Sequence, residues 1–593
     1  MKRSFFRDRL GRKDRSKASV AIFGGGAAGL TAAHELAERG FQVSIYEAKL
    51  WGGKLGGSNL ENTAKGTGRR DLPVEHGFHF FPSFYRHVPD TMRRIPLPSG
   101  VGTVYDRLVA GAFEEDARGP GRSWAVPSRF SFSLKWLYEF LATLPNSERG
   151  IPPRELAFVL GRQLKFMSAC DERREQELGG ISWWNWNDSD RMSPALRGLV
   201  DQMAARTLLA VPPQLVDVPT MAQAFLNMSY SALLPGQNID RALNADATTA
   251  WVNPWIDHLR SLGVELNLPA KLVDVEIKDG RIGGAVIETQ EGGRKEIVAD
   301  YYVMALPLEA MRVLLHAQPE LARLAPSLST LGQLQNGWMN GLSFFLSEPL
   351  PIVRGHISYQ DSAWALTSVS QSIYWSDMSL LGNGSVKEVL SVIVSDWNRP
   401  GSNGKTAKEC TKQEFVQEVM VQLNAEVPNE EDKLHWRKVL HVGVDANLRF
   451  PASEGDSTAT SRVVNTTPLF TPTVGTRQLR PRATTELENF FVASDYVSTY
   501  ISFGSAEGAN QAGRMAANGV LRASGSKASR ARIYPPLDIA LLAPIRWLDR
   551  YRYLRGLPQL TFPLPGLGPY VPSRESTEHQ PGMDHEEFAT AAE

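Results

Sequence analysis

Residues 20–23 form a short apolar run that stops at three consecutive glycines. Apolar positions then return at helical spacing over 30–39, Gly40 closes that stretch, and 42–47 is again strand-like. The pattern predicts a β-α-β unit. Strand character recurs at 264–268, 272–277 and 284–289, the last two joined across Lys278-Asp279-Gly280. One strand is predicted over 297–305, another over 489–493, and an alanine-rich helix over 507–521. Between these pieces lie two long insertions. The first, about 83–250, predicts helices at 134–143, 154–168 and 194–208, while the second, about 310–480, predicts strands and a helix at 412–423. No internal repeat is evident.

The chain has 593 residues, more than one core usually organises, so two or more subdomains with room for a large ligand are expected. Its 64 basic and 64 acidic side chains balance, which removes any global attraction to nucleic acid. Cys170 and Cys410 are the two cysteines and lie outside any metal-ligand spacing, so neither a disulfide framework nor a metal site is expected. The first 18 residues carry eight Lys or Arg and no long apolar stretch, so export is not expected. Such an arm is either solvated or held near anionic lipid. No run of about 18 apolar residues occurs, and a spanning helix is not expected. A cytoplasmic protein follows, with peripheral contact at the inner face of a membrane left open.

Gly24, Gly26 and Gly29 match G-x-G-x-x-G between the first strand and its helix. That spacing permits a tight turn, close backbone approach to a pyrophosphate, and tight packing of helix on strand. Glu47 follows 18 residues after Gly29, at the end of the second strand, where a carboxylate accepts both ribose hydroxyls and disfavours a 2'-phosphate. A second glycine loop, Trp51 to Gly57, carries Gly53 and Lys54 and offers further amides and a cation to the same pyrophosphate. NAD needs no such loop. Glu75-His76-Gly77-Phe78-His79-Phe80-Phe81 then sets polar groups among aromatic ones, suited to a flat isoalloxazine, although for His79 alone a buried structural role is favoured. FAD is therefore expected. The predicted fold class is α/β, a discontinuous Rossmann-like FAD-binding domain (19–82, 251–310 and 481–525) plus a mixed α+β substrate domain built from the insertions (83–250, mainly helical, and 311–480, with a mixed sheet). An amphipathic extension at 526–572 and a polar, disordered tail at 573–593 complete the expected organisation.

The order GGGAAGL, YEA, GGK, E-x-G-F-H-F-F and, near the C-terminus, VASDYVSTYISFGSAEGANQAGRMAA resembles the flavin-containing amine oxidoreductase superfamily, within it the plant and cyanobacterial carotene (phytoene/zeta-carotene) desaturase branch. The resemblance implies cofactor contacts from Gly24, Gly26, Ala28, Gly29, Glu47, Ala48, Gly53 and Lys54. It extends them to Glu75, Gly77, Phe78 and His79, to Leu272 and Ala305, and to Asp495, Glu507, Gly508 and Ala509. Asp495 is implied to bond the ribityl chain, and the helix opening at 505–508 to aim its positive end at the flavin pyrimidine edge. Neither cysteine lies in a cofactor motif, so noncovalent FAD is expected. The insert ENTAKGTGRRD between Lys54 and Glu75 and the tail after the terminal helix depart from that branch.

Residues 533–557 combine an apolar stretch with Trp547, Tyr551, Tyr553 and four arginines, the make-up of an interfacial helix or of one packed on the protein's own surface. The expected activity is desaturation of a hydrophobic isoprenoid or carotenoid-like molecule by hydride transfer to flavin N5, with a quinone or oxygen as electron acceptor. The alternatives are a flavin amine oxidase and a reduced-flavin-dependent, non-redox isomerase of polyenes. No catalytic residue is assigned.

Overall fold

The structure is a computed structural model and describes all residues except 1–17, 112, 119–121, 128–152, 199–205, 235, 239, 351–354, 428, 452–461 and 561–593. The basic arm, the polar tail and the helix predicted at 134–143 lie outside the described residues, apart from Ala18.

A five-stranded parallel sheet gathers three distant stretches of chain. Its strands are β1 (Ser19–Phe23), β2 (Gln42–Tyr46), β3 (Glu265–Asn267), β4 (Tyr301–Met304) and β5 (Phe490–Val492), in the order β5-β4-β1-β2-β3. β1 sits at the centre with Ile22 and Phe23 fully buried, as a continuous apolar run covered on both faces requires. Helix α1 (Ala27–Ala37) follows β1, and α2 (Ala506–Ala523) follows β5. The two pack so closely that a Cβ added to Gly513 would lie 2.4 Å from the Ala28 carbonyl oxygen.

The strand predicted over 297–305 is two strands. Arg294–Ile297 pairs antiparallel with Arg281–Thr289 in a three-stranded sheet, while Tyr301–Met304 joins the parallel sheet. The chain turns at Val298 to Asp300, where the Asp300 carboxylate accepts bonds from the Ser19 amide (2.8 Å) and hydroxyl (2.9 Å). Periodicity missed the corner because apolar residues flank Asp300 on both sides.

The insertions build a second body around a seven-stranded mixed sheet. In order across the sheet its strands are Val439–Val444, Asn340–Leu346, Glu388–Val394, Leu366–Ser370, Gly355–Tyr359, Phe113–Arg118 and Arg122–Pro127. The first insertion was expected to be mainly helical, yet it supplies the last two of these strands, with Phe113–Arg118 parallel to Gly355–Tyr359. Helix Lys412–Ala425 covers the sheet, with Phe415 stacked between Trp364 (5.7 Å) and Trp397 (5.3 Å). Helices Pro153–Ser168 and Val218–Leu233 come from the first insertion, and the helix predicted at 194–208 is described as Pro194–Gly198 and Thr207–Leu209. Among the described residues, no helix is long and apolar enough to cross a membrane.

Candidate functional site

The first glycine loop is shaped by contacts that only glycine permits. Gly24 has φ +109°, and a Cβ there would lie 2.3 Å from the Ala305 carbonyl oxygen. A Cβ on Gly29 would lie 1.9 Å from the Gly24 carbonyl oxygen, so Gly29 serves the packing of α1 on the sheet. Beside Gly26 the space is open, with nothing nearer than 3.8 Å to a Cβ built there. Gly26 caps α1 without a side-chain bond, and the helix carries no acid in its first turn, so its leading amides remain available to an anion.

Glu47 ends the second strand and steadies the loop. Its Oε2 accepts the Gly25 amide at 2.6 Å and its Oε1 accepts the Lys49 amide at 2.7 Å. Each oxygen retains a second lone pair for a ribose hydroxyl. The second glycine loop lies against the first, with Gly52 donating to the Gly25 carbonyl at 2.8 Å. The Lys54 ammonium, expected at a pyrophosphate, donates to the Pro468 carbonyl at 2.5 Å.

These loops border one cavity of about 1100 Å3. Gly24, Gly26, Ala28, Glu47 and Ala48 line its nucleotide end, together with Gly53, Lys54, Leu272 and Ala305. Gly77, Phe78, His79, Asp495 and Ala509 line the cavity as well. Pockets for one drug-sized ligand span roughly 300–1,000 Å3, so this one has room for a dinucleotide and part of a second molecule.

Four residues named from the sequence do not reach the wall. Gly29 packs helix on strand, and Gly508 donates its amide to the α2 cap, Ser505 Oγ, at 3.1 Å. Glu75 is turned inward and accepts the Ala247 amide at 2.9 Å. Glu507 accepts the amides of Arg86 (2.7 Å), His87 (2.7 Å) and Val88 (2.9 Å), and its Oε1 lies 2.7 Å from His87 Nδ1. His87 Nε2 accepts the Tyr534 amide at 2.9 Å, which leaves the ring proton on Nδ1, pointing at Glu507. Arg514 extends this clasp, bonding Asp90 at 2.7 Å and the His87 carbonyl at 3.0 Å. Both carboxylates therefore prop backbone behind the site. Tyr496, which follows Asp495, is fully buried and Tyr500 is exposed, and neither lines the cavity.

Sequence reading passed over several wall residues. Glu309, in the first turn of helix Leu308–Ala317, has its carboxyl pKa raised by burial, partly opposed by Lys54. His76 Nδ1 lies 2.7 Å from Asp445; burial pushes the Asp445 carboxyl up, but the bond to and charge of His76, with the bonds from the Asn447 amide and Asn340, together hold it below the ordinary range. His356 lines the wall from the seven-stranded sheet, and burial pushes its imidazole down to about 4. No motif surrounds Glu309 or His356, and no sequence signal marked them. Away from the cavity, His34, Glu38 and His258 place ligand atoms within 4.8 Å of one another, a cluster the cysteine and spacing argument did not foresee, although Arg94 pairs with Glu38.

The same cavity has an apolar part of its wall in Phe80, Phe81, Trp183, Leu208 and Met228. Leu160 (51% exposed), Phe225 (39%) and Val313 (70%) belong both to its wall and to the outer surface, and so form its mouth.

A parallel sheet with a glycine-cradled nucleotide end, sharing its cavity with an apolar wall, defines a dinucleotide-cofactor protein with a second-ligand cavity. Residues 22–95 match the NAD(P)-binding Rossmann-like domain, and residues 252–521 match the family described as flavin containing amine oxidoreductase. The chain is thus similar over these stretches to the flavin-containing amine oxidoreductases, and its relatives include proteins of the carotene desaturase-like branch. It is 41% identical over 304 residues to a carotenoid phi-ring synthase of Chlorobaculum tepidum, a match covering 49% of this chain and 43% of that relative. The chain thus spans under half the length of that curated relative. It is 22% identical to the chloroplastic/chromoplastic 15-cis-phytoene desaturase of Glycine max, over 87% of this chain and 81% of that one. The cyclohexylamine oxidase of Brevibacterium oxydans shares the fold, with a TM-score of 0.54 at 14% identity over 86% of this chain and 99% of that one. FAD is the cofactor this family implies, and the open space beside Gly26, the uncapped α1 and Glu47 fit its adenosine diphosphate half.

Proposed function

We propose that this chain is an FAD-dependent oxidoreductase that dehydrogenates a carotenoid, with the carotenoid end ring as the reacting part. The single observation that carries the proposal is the continuity of the cavity, which joins the nucleotide cradle to an apolar wall and an apolar mouth. A polyene has no charge to anchor, and burial of its surface supplies its binding at about 25 cal/mol per Å2. The relatives named carotenoid phi-ring synthase and phytoene desaturase support this substrate class, and the former name supports the ring. Bound FAD would supply hydride acceptance, with a quinone or oxygen as the final acceptor. In this reading Glu47 holds the ribose, the amides opening α1 face the pyrophosphate, Asp495 accepts from the ribityl chain, and the N-terminus of α2 favours negative charge at the flavin's pyrimidine edge. Cys170 and Cys410 are free, and neither is on the cavity wall, which supports noncovalent attachment.

Uptake from a membrane fits the outer surface. Helix Ala543–Tyr553 is held to the protein by buried Asp549, which accepts the Cys170 amide at 2.9 Å and pairs with Arg173 at 3.1 Å. Its other side leaves Trp547 70% exposed, beside exposed Leu541, Tyr551 and Leu554. The buried Asp549 supports packing on the protein's own surface, and the composition of the exposed face supports the interfacial reading.

Anaerobic mixing of the FAD-loaded protein with a panel of ring-bearing carotenoids, acyclic carotenoids and amines tests the proposal. Bleaching of the oxidised flavin band by ring-bearing carotenoids is expected. Bleaching by amines alone overturns it.

A further inference from the structure

We propose that His356 is the catalytic base of this site, accepting the proton that a carotenoid must lose after its hydride has left. The inference rests on the dehydrogenase reading above. His356 lies on strand Gly355–Tyr359, whose alternate residues His356 and Ser358 face the cavity. Its ring is held edge-on by Phe78 (centroids 5.0 Å apart, 82°) and Phe80 (5.4 Å, 64°). Its Nε2 is buried without a hydrogen-bond partner, which is a costly arrangement unless a ligand uses it.

Of the other titratable groups of the wall, Glu309 Oε2 is also buried without a hydrogen-bond partner, but burial raises its carboxyl toward the protonated form, whereas burial lowers the imidazole toward the neutral, accepting form. His76 is bonded to Asp445 and Lys54 to Pro468, while His79 Nδ1 makes no hydrogen bond but stands 3.6 Å from the Glu75 carboxylate. Glu47 holds the Gly25 and Lys49 amides at the nucleotide end. The carboxylate of Asp240 meets the His356 backbone and takes the Tyr374 hydroxyl at 2.6 Å. Burial alone moves the imidazole, so it is neutral at physiological pH and does not repel a cation forming beside it.

In the step, a C–H bond of the substrate breaks and its electron pair leaves with the hydrogen as hydride, to the oxidised flavin. The carbon left behind is a cation conjugated with the polyene. A C–H bond on the adjacent carbon then breaks, its proton passing to a ring nitrogen of His356 and its electron pair forming the new C=C bond. Two electrons and one proton go to the flavin, and one proton to the imidazole. A proton beside a carbocation is so acidic that a weak neutral base suffices.

Two measurements test the proposal on the full chain. Apoprotein treated with diethyl pyrocarbonate and mapped by mass spectrometry should carry the label on His356, and a bound carotenoid should suppress it. No label there, or a label indifferent to carotenoid, overturns the proposal. In FAD-loaded protein, H356A and H356Q should keep their flavin occupancy while anaerobic bleaching slows by about 100-fold or more, the usual worth of a general base. Added imidazole should speed H356A and leave the unsubstituted protein unchanged. Bleaching within threefold of the unsubstituted rate, or slowing without imidazole rescue, overturns the role of His356 alone. If the unsubstituted protein is bleached by no carotenoid, the dehydrogenase reading falls and takes this proposal with it.

Discussion

Replacing Glu507 separates a cofactor contact from a structural prop. In the fold its carboxylate satisfies three backbone amides, at Arg86, His87 and Val88, and the His87 ring, all at 2.7 to 2.9 Å. The His87 and Val88 amides are buried, and E507A leaves both without a partner. Each such loss costs about 1–3 kcal/mol, so E507A should lose about 2–6 kcal/mol of stability. E507Q keeps an accepting oxygen but presents an amide donor to donors, and should fall between E507A and the unsubstituted chain. Urea unfolding followed by tryptophan fluorescence, with both proteins saturated in FAD, reads the difference as a shift in midpoint at constant slope. The folded fraction of E507A should still retain FAD. A midpoint shift worth under about 1 kcal/mol, together with lost flavin, would refute the structural assignment and return Glu507 to the cofactor.

Three further outcomes follow from the same geometry. E47A should weaken FAD binding by about 10- to 150-fold, corresponding to about 1.5–3 kcal/mol for charge-assisted bonds, as read by flavin fluorescence on titration; unchanged affinity would count against the ribose assignment. Burial raises the Asp240 carboxyl to about 6, despite the Tyr374 hydroxyl that lowers it. The folded state therefore prefers the protonated acid, and this group's contribution to stability is full below about pH 4 and lost as pH rises through 6. D240N lacks that loss, so its stability relative to the unsubstituted chain should rise by up to about 3 kcal/mol between pH 4 and pH 8; parallel pH profiles in urea unfolding would disprove the burial argument. Finally, glutamates at Leu541, Trp547 and Leu554 together should reduce flotation with anionic liposomes at least tenfold while leaving FAD occupancy intact, and unchanged flotation would remove this face from the membrane proposal.

The sequence by itself determined the β-α-β unit, the hairpin at Lys278-Asp279-Gly280, the terminal helix and the cofactor cradle. These features are local: a glycine turn, a two- or 3.6-residue period and an acid at a strand end restrict geometry within a few tens of residues. The tertiary structure decided which motif side chains meet the cavity. Glu75 and Glu507 stand in the motifs but spend their charge on the amides of Ala247 and of Arg86 to Val88, brought near them by the fold. It also decided the corner at Val298 to Asp300, because Ser19, some 280 residues away, captures Asp300 there. The substrate half was illegible for the same reason. Phe78 and Phe80 belong to the first third of the chain and His356 to a strand far downstream, and the unpartnered imidazole acquires its meaning only when the sheet carries it against those rings. Local rules write the cofactor end into the sequence, whereas the apolar wall depends on long-range packing that no short spacing records.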